Sequence, residues 1–225
     1  MAETAQEYRA EVGAWVCDRL EQNPDAQRIV CDELDVFVVR NFLTPEECAT
    51  FIALIDADRV PSGLLAPSED PEFRTSESCN FKPDIPDVIA LETKYHQVFG
   101  IQPEFGEGVQ GQRYAPGQQF KPHHDYFHRG TPYWDDMEAS GGQRTWTGMA
   151  FLNVPGGGGH TIFPEVGIKV TPRAGNLLIW NNMGPDGLPN PKSLHQGSPV
   201  TAGLKYVITK WYRERTWGYQ PAAAY

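Results

Sequence analysis

Three side chains have the types and the order to hold one metal ion: His123, Asp125 and His195. His123 and Asp125 lie in the run KPHHDYF. On a β-strand, residues two apart point to the same face. A strand here would turn His123 and Asp125 into one interior and His124 to the other side. Two imidazoles and a carboxylate form a facial triad. That triad leaves positions open on non-haem iron(II) for a bidentate co-substrate and dioxygen. The third ligand has to come from a distant strand, and His195, in SLHQGSPV ahead of the last apolar run, is the candidate. Zinc accepts the same ligands, so a zinc-dependent enzyme is a second reading. An inactive binding module on the same fold is a third. A His-x-Asp pair alone is weak evidence: with six histidines in 225 residues, about a third of such chains would carry one by chance. Lys205, which opens KYVITKWY after His195, adds weight. A pocket for a dicarboxylate needs a cation at its far end, and lysine is the compact choice. Taken alone, Lys205 reads equally well as a surface lysine at a strand end.

These residues need elements to hold them. Residues 4–22 carry apolar side chains at Tyr8, Val12, Trp15, Val16 and Leu20, which is helical spacing. A short strand, 36–39, follows. In NFLTPEECATFIALI, Thr44 caps a helix, Pro45 takes its first position and Glu47 completes a capping box. Phe51, Ile52, Leu54 and Ile55 form its inner face. Residues 85–99 repeat the helical pattern with Val88, Ile89, Leu91 and Val98. Beyond residue 105 short runs alternate with Gly/Pro turns: 109–114, 120–127, 146–154, 161–163, 168–170, 176–180 and 205–212. Such spacing predicts a sandwich or barrel. The fold class is therefore α+β, a double-stranded β-helix (jelly roll) with supporting N-terminal helices. Residues 128–144 and 182–194 read as rim loops. The first is either a solvated acidic loop or a mobile lid.

The chain is expected to form a single catalytic domain over 1–225, with 1–105 mainly helical support and 106–215 the β-core. A net charge of −10 argues against a nucleic-acid partner, because phosphate binding needs a basic face. No apolar run approaches a membrane span, so no membrane partner is expected. Cys17, Cys31, Cys48 and Cys79 form no CxxC pair, and reduced thiols in a cytoplasmic protein are the expectation. The polar N-terminus does not read as a signal peptide. The first helix either mediates a homodimer or packs as a support for the sheet. The tail GYQPAAAY has no reading.

Several segments resemble one family. YAPGQQFKPHHDYF, GGGGHTIFPEVGIKVTPRAGNLLIW and SLHQGSPVTAGLKYVITKWYRER, with NFLTPEEC and RTSESC upstream, are similar to the prolyl 4-hydroxylase branch of the Fe(II)/2-oxoglutarate-dependent dioxygenases. The similarity runs over about residues 35–215. It implies Fe(II) held by His123, Asp125 and His195. It implies 2-oxoglutarate anchored by Lys205 and Thr161, with Tyr114 lining that pocket. Arg144 and Trp211 match positions that face a peptide substrate, and Arg213, two residues past Trp211, would point the same way. The implied reaction hydroxylates a prolyl residue of a peptide or protein at C4. It consumes dioxygen and releases succinate and CO2, with ascorbate as a reductant. Another amino acid or small molecule is the alternative substrate. Two departures stand out: His160 in the Gly-rich turn, which reads as an exposed turn residue, and Phe120 where some relatives carry a tyrosine.

Overall fold

Thr4 and Thr44 open two helices with the same device. In this computed structural model, which describes residues 4–66 and 68–218, each hydroxyl accepts the N–H three residues on. Glu7 and Glu47 return to the threonine N–H groups. Reciprocal capping of this kind satisfies N–H groups that a helix start leaves free. Helix α1 spans Ala5–Glu21 and α2 spans Pro45–Asp58. Helix α3, Pro86–Phe99, ends on Gly100 at φ 72°, a left-handed cap that glycine adopts without penalty. A short α4, Trp134–Ala139, lies where composition suggests only a loop. It forms because Trp134 is buried, with the Arg129 guanidinium 5.1 Å from its ring centre.

The strands, in chain order, are β1 Ala26–Arg28, β2 Val36–Val39, β3 Val60–Pro61, β4 Glu77–Asn80, β5 Gln110–Tyr114, β6 Phe120–His123, β7 Arg144–Phe151, β8 Gly157–Gly158, β9 Thr161–Phe163, β10 Ile168–Val170, β11 Leu177–Asn181, β12 His195–Gly197, β13 Val200–Ala202 and β14 Lys205–Arg213. The larger sheet runs β1-β2-β11-β7-β14-β5-β4-β3 and the smaller β10-β9-β12-β6, with β13-β8 as a separate pair. This is the expected jelly roll with helices on one side. The segment before residue 105 also supplies four strands of the larger sheet.

Strand β11 explains the layering. Leu177 and Ile179 pack with Val16, Leu20, Phe51 and Leu91 of the helices. Leu178 and Trp180 pack with Phe163, Ile168 and Val170 of the smaller sheet. Alternation along one strand thus feeds two cores. The site lies between the two sheets.

Two helical positions differ from the spacing. Trp15 and Ile89 are exposed. On α1 the buried face instead takes Arg9, whose guanidinium pairs with buried Glu214 at the end of β14. Arg9 Nε also donates to the Gly187 carbonyl at 2.6 Å, and Gln6 Nε2 donates to the Asp186 carbonyl at 2.9 Å. Gly187 sits at φ 73°, and a Cβ there would lie 2.0 Å from the Gln6 carbonyl oxygen. Helix α1 is thereby fastened to the loop that precedes His195. No helix among the described residues is long and apolar enough to cross a membrane. The tail beyond Gly218 lies outside the described residues.

Candidate active site

His123 and His195 face each other directly across the antiparallel pair β6–β12. Their ring centres are 4.3 Å apart. Strand β6 ends at His123, earlier than alternation predicts, and Asp125 lies in the bend beyond it. The carboxylate still turns to the same side. Asp125 Oδ1 is 3.9 Å from His123 Nε2, and Oδ2 is 3.8 Å from His195 Nε2. One donor atom from each of the three lies within 4.8 Å of the others. His124 turns away, its Nε2 3.1 Å from the Pro191 carbonyl.

Both imidazoles are oriented by the same local device. His123 Nδ1 lies 2.8 Å from the Lys121 carbonyl, and His195 Nδ1 lies 2.9 Å from the Ser193 carbonyl. A carbonyl can only accept, so each Nδ1 carries the proton and each Nε2 presents a lone pair to the centre. Phe120 stacks on His123 at 3.5 Å, and Trp180 packs 4.7 Å from His195. Burial, with His195 beside it, pushes His123 down to about 3, so it stays neutral as metal binding requires. Burial would raise Asp125. The opposing effects of His195, His123, Arg144 and a hydrogen bond from Thr147 win and hold it below the usual carboxylate range. Thr147 Oγ1 donates to Asp125 Oδ2 at 2.8 Å and accepts from Asn182 Nδ2 at 2.9 Å. The donor set suits a divalent cation that takes nitrogen and carboxylate oxygen. Thr147→Val keeps the shape and removes the proton donor. Removing such a partner costs about 10–100-fold in metal affinity, which an iron titration of the variant measures.

Beside this cluster the cavity wall carries unpaired polar groups. Lys205 is buried and pairs across the sheet with Tyr114. Its Nζ lies 5.2 Å from the Tyr114 ring centre and 5.9 Å from that of Phe151. No carboxylate among the described residues pairs with it. Burial alone pushes it down to about 8. Thr161 Oγ1 is buried without a hydrogen-bond partner. Thr161 also lines the cavity, and β9 joins β6 through β12. A buried ammonium and a buried hydroxyl without partners are each costly. A carboxylate placed between them would satisfy both. Tyr114, also buried, donates its hydroxyl to Gln112 Oε1 at 3.2 Å.

The cavity has a volume of about 1480 Å3, and Tyr114, His123, Asp125, Arg144, Thr161, His195, Lys205 and Trp211 all line it. Arg144 grips Glu107 with two hydrogen bonds of 2.6 and 2.8 Å, and its guanidinium lies 4.2 Å over the Trp211 ring. Trp211 Nε1 is buried without a partner. Arg213 does not line the cavity, contrary to its expected place beside Trp211. It keeps the cavity side of β14, its guanidinium 4.5 Å over the Phe127 ring, but it stands behind the lining residues Glu107 and Phe127. Arg213 is buried and is spent on Glu107 Oε1 at 2.5 Å and the Gly142 carbonyl at 2.6 Å. His160 also lies off the cavity wall. It is half-buried, and its Nδ1 is buried without a partner.

Several residues of the site carry no motif of their own. Glu107, Thr147 and Asn182 are common types in unremarkable contexts. Arg74, which lines the cavity with its guanidinium 4.8 Å over the Phe120 ring, opens the RTSESC segment. That segment is the one sequence signal that could have led to it.

Residues 109–213 match the family described as the 2OG-Fe(II) oxygenase superfamily. A probable prolyl 4-hydroxylase 8 of Arabidopsis thaliana is 32% identical, the match covering 82% of this chain and 70% of that protein. Prolyl 4-hydroxylase 5 of the same plant is 33% identical over 78% of this chain and 67% of its own length. Among solved structures, the viral collagen prolyl hydroxylase of Paramecium Bursaria Chlorella virus-1, in its 2OG complex, superposes with a TM-score of 0.62. It is 27% identical, over 82% of this chain and 98% of that one.

Proposed function

The chain belongs to the prolyl 4-hydroxylase family, and from that premise we propose that it is an Fe(II)- and 2-oxoglutarate-dependent dioxygenase that hydroxylates a prolyl residue of a peptide or protein at C4. The observation that carries the reading is one juxtaposition. Two imidazole lone pairs and a carboxylate converge in the same cavity as a buried, unpaired Lys205 and an unpaired Thr161 hydroxyl. The first set fits iron(II), and the second fits the far carboxylate of a dicarboxylic co-substrate. Bound there, iron and 2-oxoglutarate supply the redox chemistry that inserts one oxygen of dioxygen into a C–H bond, with succinate and CO2 as co-products.

The chain's own groups do the rest. His123, His195 and Asp125 hold the metal in one orientation, fixed by the Lys121 and Ser193 carbonyls and by Thr147. Lys205 and Thr161 anchor the co-substrate, and Tyr114 forms its wall. Phe163 and Trp180 close the floor behind His195 and keep water out. Arg144 and Trp211 face the substrate. The indole N–H of Trp211 is buried without a hydrogen-bond partner. Small-molecule pockets typically hold roughly 300–1,000 Å3. The larger volume here leaves room for a peptide segment beside the co-substrate. Exposed Val60, Leu64 and Leu65 on its rim give that segment an apolar wall. Ascorbate is the proposed reductant and the cytoplasm the proposed compartment.

The test is succinate release with poly(L-proline), iron(II) and 2-oxoglutarate, alongside mass spectrometry of the peptide. Release that needs both iron and co-substrate, and a product heavier by one oxygen atom, is the expected result. Succinate at background with and without peptide would overturn the reading. Turnover supported by zinc without loss of 2-oxoglutarate would favour the zinc-dependent alternative. A pH dependence follows from Lys205. Its ammonium is charged below about 8 and neutral above, and only the charged form attracts a carboxylate. In the free enzyme, kcat/KM for 2-oxoglutarate is therefore expected to fall as pH rises through that value, by roughly tenfold per pH unit beyond it.

A further inference from the structure

Lys210 is a buried cation that the chemistry above leaves unused. It sits on β14 between two residues that line the cavity, Thr209 and Trp211, and its side chain leaves the opposite face of the sheet. It is 2% exposed. Its ammonium pairs with Glu92 on α3 and donates to the Glu107 carbonyl at 2.6 Å. The N–H of Glu107 donates to the Trp211 carbonyl at 2.9 Å. The backbone of Glu107 is thus held from both sides, while its carboxylate holds Arg144 over Trp211. Gly106 makes this approach feasible, because a Cβ there would lie 2.6 Å from Lys210 Nζ.

We infer that Lys210 is a positioning residue for the peptide side of the cavity, tying helix α3 to Glu107 and so fixing the angle at which Arg144 meets the substrate. The inference rests on the proposed hydroxylase activity for its kinetic consequence, but not for its structural one. The ammonium touches neither the metal ligands nor Lys205 and Thr161. Loosening it should therefore act on one substrate and spare the other.

Two variants test this. Gly106→Ala keeps every charge and crowds the end of the Lys210 side chain, with the Pro103 carbonyl oxygen 3.2 Å from the new Cβ. Its backbone, at φ −87°, tolerates alanine. Lys210→Met removes the ammonium outright. In both, KM for poly(L-proline) is expected to rise about tenfold. KM for 2-oxoglutarate, iron stoichiometry and succinate release without peptide should stay within about twofold. A second readout needs no turnover. The Arg144 Nε–H, bonded to Glu107 in the native protein, should show slow solvent exchange by NMR and lose that protection in both variants. A merely structural role would lower the active fraction and leave both KM values alone. An unchanged Arg144 Nε–H, or equal shifts of both KM values, overturns the inference. Loss of protection in a chain that never turns over poly(L-proline) supports the positioning role and rejects the activity instead.

Discussion

His195→Ala is expected to lose iron and, with it, peptide-dependent succinate release, by about a thousandfold or more, equivalent to ~4 kcal/mol of barrier. The size follows from the geometry. Three donors meet at one point, and His195 is the member brought from farthest along the chain. Without it a histidine and a carboxylate remain, separated by a single residue, and the bidentate co-substrate loses the fixed frame it would chelate against. His124→Ala is the matched control. That ring shares the same run but turns to the Pro191 carbonyl, so iron loading should survive. Metal analysis and a succinate assay on both variants decide the matter. A His195→Ala protein that kept iron and turnover would break the ligand assignment. Loss of iron from His124→Ala alone would exchange the two roles.

Lys205→Met should do two opposite things. Affinity for 2-oxoglutarate should fall by about a hundredfold or more, because breaking a buried charge pair costs roughly 3–5 kcal/mol. The protein without co-substrate should become more stable. Burial lowers the lysine from 10.5 to about 8, a folded-state penalty on the order of 3 kcal/mol. The sign can be checked by titration. Between about 8 and 10.5 the unfolded chain binds the extra proton, so native stability rises with pH across that window, and the variant should lose the rise. Thermal melts across that window, with and without 2-oxoglutarate, read both effects. A variant melting below the native protein would mean that Lys205 has a partner in the fold. Arginine is a poor substitute, because the stem already lies close to Gly159 and the guanidinium is larger and planar.

Much of this was legible because alternation and capping are local. Thr44, Pro45 and Glu47 mark a helix start within four residues, and the structure has it there. His123 and Asp125 share a side, although the strand stops between them. A bend conserves the direction that a longer strand would have given. What escaped was tertiary. Arg9 is buried because Glu214 meets it from the other end of the chain, and no helical pattern can announce such a partner. Strand β12 is three residues long and includes a glycine, too short for periodicity, yet it carries His195. Arg213 points to the side that alternation predicts, but Glu107 takes up its guanidinium, and no strand pattern announces that partner. Thr147 gains its role from Asp125 and Asn182, and nothing in the local sequence distinguishes it from Thr145.

The fastening of α1 to the loop before His195 reaches farther than it first appears. Both ends of that loop are committed: Asn182 steadies Thr147 and hence Asp125, and His195 offers its own nitrogen. Its middle is gripped by Gln6 and Arg9. The opening helix is therefore an integral strut of the metal centre, although it contributes no ligand. Shortening the protein from its N-terminus would slacken two of the three ligands together and leave Glu214 a buried charge without its counterpart.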